Sequence, residues 1–109
     1  MRIYIPMRLP SLANTRMHWR AMDRLKKSQK LTVRTYLPDG SPPKLPAVVT
    51  FTRIGKRTLD DDNLASAFKT VRDEIARYMG VDDGSPLYRW RYEQRTGPAY
   101  GIEITIEAL

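Results

Sequence analysis

Cysteine is absent from the 109-residue chain, which excludes structural disulfides and zinc-thiolate sites and suits a reducing cytosol. Histidine occurs once, at His18, and a lone histidine is more often structural than catalytic, so none is assigned to chemistry. No apolar run approaches the roughly 18 residues of a membrane span, and the alternating, proline-bearing first residues do not read as a signal peptide. No internal repeat or low-complexity tract is present. The expectation is one soluble, cytoplasmic domain over residues 1–109, large enough for a single modest core.

Acids are scarce where bases are plentiful. The net charge is +7, but residues 1–36 hold nine basic residues against Asp23 alone (+8), and residues 37–109 hold ten basic against eleven acidic (−1). A polyanion is the natural partner of the first third. Nucleic acid ranks ahead of a membrane surface because no strongly apolar helix face accompanies the charge.

Chemistry concentrates in residues 59–83, LDDDNLASAFKTVRDEIARYMGVDD. Asp60, Asp61 and Asp62 precede a helical pattern, and Asp82 and Asp83 follow its end. At 100° per residue, Leu64, Ala67, Phe68, Val71, Ile75 and Met79 share an apolar face, while Asp62, Ser66, Lys69 and Asp73 share the opposite one. One reading is structural: Asp61 or Asp62 caps the helix, and Asp82-Asp83-Gly84 is a plain turn. A cap accounts for one aspartate rather than three. The other reading is a divalent cation, since adjacent carboxylates repel unless a positive charge lies between them and magnesium takes oxygen ligands.

The rest of the chain supplies strands, a basic helix and turns. Arg2 to Leu9 alternates as a strand, with Pro6 favouring an edge. A loop over Pro10 to Arg16 ends where Asn14 or Thr15 could cap a helix running from His18 to about Tyr36. Arg20, Arg24, Lys26, Lys27, Lys30 and Arg34 decorate that helix, either as a solvated face or, taken as a set, as phosphate contacts. Trp19 reads as a core anchor more readily than as a base-stacking ring. Beyond a stiff, proline-rich loop, Ala47 to Ile54 forms a strand, and Lys56 and Arg57 turn the chain into the aspartates, where they balance charge or hold a phosphate. Tyr88 to Arg95 and Tyr100 to Ala108 read as closing strands, the first with Tyr88, Trp90 and Tyr92 on one face, the second burying Ile102, Ile104 and Ile106. The fold class expected is α+β: a mixed or antiparallel sheet of about four strands with two helices on one face.

The order Asp60-x-Asp62-Asn63-Leu64, an amphipathic helix with a lysine, then Gly80-Val81-Asp82-Asp83, resembles the RusA family of Holliday junction resolvases, small endonucleases of phages and prophages. Ile5-Pro6, Pro10-Ser11 and Asn14 resemble the start of that family, and the closing strand pair resembles its end. The resemblance implies a RusA-like fold and a magnesium-dependent endodeoxyribonuclease, with manganese as a substitute, that acts on four-way junctions in DNA recombination and repair. It implies Asp60, Asp62 and Asp83 as metal ligands and catalytic residues, a homodimer with two active sites, and a bacterial or phage-infected cell. The family's lysine stands four residues after the second aspartate; here Ser66 holds that place, and Lys69 lies one turn further along the same stripe. Arg20, Arg24, Lys26, Lys27, Lys30, Lys56 and Arg57 would then bind the DNA backbone. Two alternatives remain: a non-catalytic nucleic-acid-binding module whose aspartates cap a helix, and a nuclease for flaps, forks or single strands.

Overall fold

Four alternating runs become the strands β1 (Arg2–Ile5), β2 (Ala47–Gly55), β3 (Tyr88–Thr96) and β4 (Gly101–Ala108) of one mixed sheet in the computed structural model, which describes residues 1–11 and 18–109. The caps expected at Asn14 or Thr15 lie outside the described residues. The sheet order is β1-β4-β2-β3. β4 is antiparallel to both β1 and β2, whereas β2 and β3 are parallel. Parallel neighbours need a long crossover, and the acidic-helix-acidic stretch supplies it.

The register places one residue set on a common face. Ile3 pairs with Ile104, Phe51 with Ile104 and Tyr92, and Val49 with Ile106 and Trp90. Side chains on alternate positions of paired strands point the same way, so these residues, with Ile5 and Ile102, form the floor of the core. Pro6 follows an edge strand, where its missing N–H costs no ladder bond. The closing strands do not pair with each other. β4 inserts between β1 and β2, where Ile102, Ile104 and Ile106 are covered by neighbours on both sides, and β3 becomes the opposite edge.

Three helices pack over this floor: α1 (Trp19–Tyr36), α2 (Asp61–Ala67) and α3 (Lys69–Met79). The fold is α+β, with one helix more than expected. The single helix anticipated after the aspartates breaks at Phe68, whose φ of −89° and ψ of 0° lie outside the helical basin. Its N–H bonds back to Ala65 in a tightened turn, and its own carbonyl starts α3 by accepting from Arg72. The Phe68 ring is fully buried and stacks on Phe51 with centroids 5.0 Å apart, so core packing accompanies the break.

α1 is held to α3 by a buried charge. The Glu74 carboxylate accepts from Arg34 on α1 and from Arg77 on its own helix. Arg34, expected among the exposed basic residues of α1, is therefore a structural tie as well. Burial along α1 falls from Val33 and Gln29, through half-buried Leu25 and Met22, to Trp19, which is 68% exposed. Trp19 is thus no core anchor, because the apolar stripe runs past the end of the core. The helix is capped by His18, whose Nδ1 accepts from the Arg20 N–H at 3.2 Å.

Candidate active site

The approach to the aspartates is clamped before they are reached. Gln94 on β3 accepts from the Leu59 N–H at 2.9 Å and donates to the Leu59 carbonyl at 2.7 Å. One amide side chain thereby satisfies both backbone groups of the residue before Asp60 and sets where α2 begins. Asp60 takes the N-cap position, but its side chain makes no capping bond. Asp61 and Asp62 form the first turn, where the helix dipole favours negative charge. All three carboxylates are exposed, and none makes a hydrogen bond or ion pair among the described residues. Side-chain capping therefore explains none of the three.

At the far end of the crossover, the two later aspartates divide their work. Gly80 ends α3 with φ of +77°, a left-handed conformation that glycine adopts without a Cβ clash. Asp82 accepts from the Gly84 N–H at 3.0 Å, the local bond of an Asx turn. Asp83 instead faces α3: its Oδ2 lies 3.1 Å from Arg72 Nε and 3.5 Å from Lys69 Nζ. Its backbone carbonyl accepts from Arg72 Nη2 and from the Trp90 indole N–H. Oδ1 of Asp83 is left without a partner among the described residues.

Arg72 was not anticipated as a site residue, yet it organises this corner. Its Nη1 donates to the Tyr92 hydroxyl at 3.0 Å, and its guanidinium lies 4.5 Å over the Trp90 ring. The aromatic row of β3 thus packs on Phe51 with one end and orients a cation with the other. Nothing local in the sequence marks Arg72, because its partners lie 11 to 20 residues away on other elements. Tyr88 joins the same turn, donating to the Val81 carbonyl at 2.6 Å. Burial and then the charges of Asp82 and Asp83 push the phenol up, so it remains a neutral donor.

Lys69 stands at the first position of α3. Its ammonium is 2.7 Å from Asp73 Oδ1, and that hydrogen bond, with the charges of Asp73 and Asp83, raises it above the ordinary lysine value against a smaller desolvation effect. Ser66 and Lys69 line one open cavity of about 540 Å³ together with Lys26 of α1, Arg72 and Tyr92. Across the break at Phe68, the serine and the lysine still share one wall. Among the α1 cations, only Lys26 reaches this cavity; Arg20, Arg24 and Lys30 are exposed elsewhere on the helix, and Lys27 pairs with Asp23 at 3.0 Å. Lys56 and Arg57 line a different cavity, with Arg8, Arg53 and Tyr100.

No three Asp, Glu, His or Cys side chains converge into a cation cage among the described residues. Magnesium rarely needs one, since it is usually held by one or two carboxylates, waters and a substrate phosphate. Asp60 and Asp62, hard oxygen donors without internal partners, fit that mode, and Asp83 offers Oδ1 while its other oxygen is held by Arg72 and Lys69. No helix of the described residues is long and apolar enough to cross a membrane. No family model, curated protein or solved structure matches the chain.

Proposed function

We propose that this protein is a magnesium-dependent endodeoxyribonuclease of the RusA-like type, cutting branched DNA and acting as a homodimer on four-way junctions in recombination and repair. Its setting is the cytoplasm of a bacterial or phage-infected cell. The observation that carries the reading is a contrast of charge. In a chain of net charge +7, three successive aspartates at the start of α2 remain without any cationic partner among the described residues. An external cation is the economical complement.

In this reading Asp60 and Asp62 hold the ion, with manganese able to replace magnesium, and Asp83, which joins them in no three-acid group among the described residues, is the third carboxylate that the RusA resemblance implies. The chemistry magnesium supplies when held there is a polarised phosphate and a more acidic attacking water. Lys69 keeps a positive charge where the oxyanion of the reacting phosphate develops, and Lys26 adds a second cation to that wall. Arg72 is a positioning residue, fixing Asp83 against Trp90 and Tyr92. Exposed Arg20, Arg24, Lys27 and Lys30, with Lys56 and Arg57, hold the DNA backbone without reading its sequence.

The test is cleavage of a synthetic four-way junction beside a flap and a linear duplex of the same sequence, with magnesium and with chelator. Paired symmetric nicks confined to the junction and dependent on magnesium are the expected result. Cuts confined to the flap would keep the nuclease and change its substrate, whereas binding without cleavage in either condition would reject the nuclease. Lys69→Ala is expected to slow cleavage by about 10²-fold or more, as the loss of one electrostatic stabiliser does. A loss below about tenfold would remove Lys69 from the chemistry.

A second reading, a nucleic-acid-binding module without catalysis, is favoured by the exposed Trp19. Trp19 stands 5.7 Å from the His18 ring and has Arg20 over it at 5.2 Å, a grouping suited to stacking on an unpaired base. The junction assay separates the two readings.

A further inference from the structure

At the end of β2, four cations from two separate chain segments close around one cavity. Arg8, Arg53, Lys56 and Arg57, with Tyr100, line a space of about 380 Å³. None of the four makes an ion pair among the described residues, although eight such pairs occur elsewhere. Their company is instead aromatic and carbonyl. Arg8 lies 4.9 Å and Lys56 5.9 Å from the Tyr100 ring centre. Each contact uses the ring's negative face and leaves the net charge uncompensated.

Arg53 is the built-in member. It is 7% exposed, and it occupies a core-facing position of β2 that alternation would give to an apolar residue. Nε donates to the Leu9 carbonyl at 2.9 Å and Nη1 to the Arg57 carbonyl at 2.8 Å, while Nη2 makes no hydrogen bond among the described residues. Gly55 makes room for it: a Cβ there would stand 3.0 Å from Nη1, 3.3 Å from Cζ and 3.4 Å from Nη2. Burial, and then the charge of Arg8, press the guanidinium below its ordinary value. An arginine does not shed its proton in response, so a bound anion would relieve the repulsion that Arg53 keeps in its buried position.

We infer that Arg8, Arg53, Lys56, Arg57 and Tyr100 form a phosphate-binding pocket, separate from the acidic cluster at the start of α2. A single carboxylate brings one charge and two oxygens, too little for four cations; free phosphate brings up to two charges and four oxygens at neutral pH, and a nucleic acid strand brings one charge at each of its successive phosphodiesters. The free Nη2 of Arg53 and the exposed heads of Arg8, Lys56 and Arg57 supply donors from several directions. Its source is either the backbone of a nucleic acid strand, which rests on the nucleic-acid reading above, or a free phosphate. Arg57 lies three residues before Asp60. A strand seated here would therefore lie only a few residues along the chain from the start of α2.

The experiment uses the full chain in chelator, so that it is independent of cleavage. Inorganic phosphate is titrated against chloride at matched ionic strength while thermal unfolding is followed. Binding of an unphosphorylated thymidine oligonucleotide is followed in parallel by anisotropy. Phosphate at ten times its Kd is expected to raise the wild-type midpoint by about 5 °C. Arg8→Gln and Lys56→Gln, both at exposed positions where folding is spared, should each weaken phosphate roughly tenfold. Arg91→Gln, which removes an exposed charge outside the pocket, should respond as the wild type does. Equal responses in pocket and control variants, or no response in the wild type, overturn the pocket. Given a phosphate response, oligonucleotide binding weakened about tenfold in the same two variants identifies a strand as the source. Unchanged oligonucleotide binding identifies a free phosphate. Since no step involves magnesium or Asp62, failure here leaves the nuclease reading standing, and the junction assay fails or succeeds on its own.

Discussion

Asp62→Asn is expected to reduce junction cleavage by at least about 10²–10³-fold, the scale of removing one electrostatic stabiliser, while leaving the fold and DNA binding nearly intact. The substitution keeps shape and removes one charge from an exposed side chain that makes no hydrogen bond or ion pair among the described residues. Its structural cost is the loss of a favourable charge in the first turn of α2, about 0.3–1 kcal/mol, and relief of repulsion from Asp60 and Asp61 offsets it. A second readout needs no DNA. Magnesium should raise the thermal midpoint of the wild type and raise that of Asp62→Asn less, because a ligand that binds only the folded chain stabilises it in proportion to its occupancy. Retained cleavage in Asp62→Asn, or a magnesium response equal to the wild type's, would take Asp62 out of the metal site.

The largest effect on stability is expected from a different carboxylate. The Glu74 side chain is 1% exposed and is satisfied by Arg34 from α1 and Arg77 from its own helix, both about half exposed. Removing both arginines leaves a charge buried without partners, so Arg34→Ala with Arg77→Ala should cost about 3–5 kcal/mol. Glu74→Leu is the opposite case. It deletes the buried charge at similar volume, and the freed arginines can turn to water, so stability should change by less than about 1.5 kcal/mol in either direction. Urea unfolding near neutral pH measures both. Equal midpoints for the double variant and the wild type would show that Glu74 escapes to solvent and that the triad does not join α1 to α3.

The distance between those two carboxylates in legibility is instructive. Asp62 is conspicuous, because it stands in a run of three adjacent acids of which a helix cap accounts for one, and its spacing to Lys69 is a matter of helix period. Glu74 sits among similar charges on an amphipathic helix and carries no such mark. Its partner Arg34 is 40 residues away, so its burial follows from how α1 lies on α3. Arg72 is the same kind of residue, ordinary in its helix and decisive only beside Trp90, Tyr92 and Asp83. Arg53 reads as one more cation at the end of a strand until the register turns it inward beneath Leu9 and Arg57.

Periodicity, with the turn residues between runs, determined most of the elements. Alternation set β2, β3 and β4 and which of their residues face the core, and the 3.6-residue stripe set α1 and the helical crossover, since burial of one face is a local demand on spacing. It also showed the acidic cluster, the basic first third and the absence of thiol chemistry. Tertiary structure decided what local spacing cannot express. The insertion of β4 between β1 and β2 comes from long-range pairing, and the break at Phe68 accompanies a ring stacked on Phe51 of another element. The exposure of Trp19 reflects where the core ends. The separation of Lys56 and Arg57 from the Lys69 cavity, and their grouping with Arg8 and Arg53, depend on which loops the sheet brings together. Charge is written residue by residue, but its neighbours are chosen by the fold.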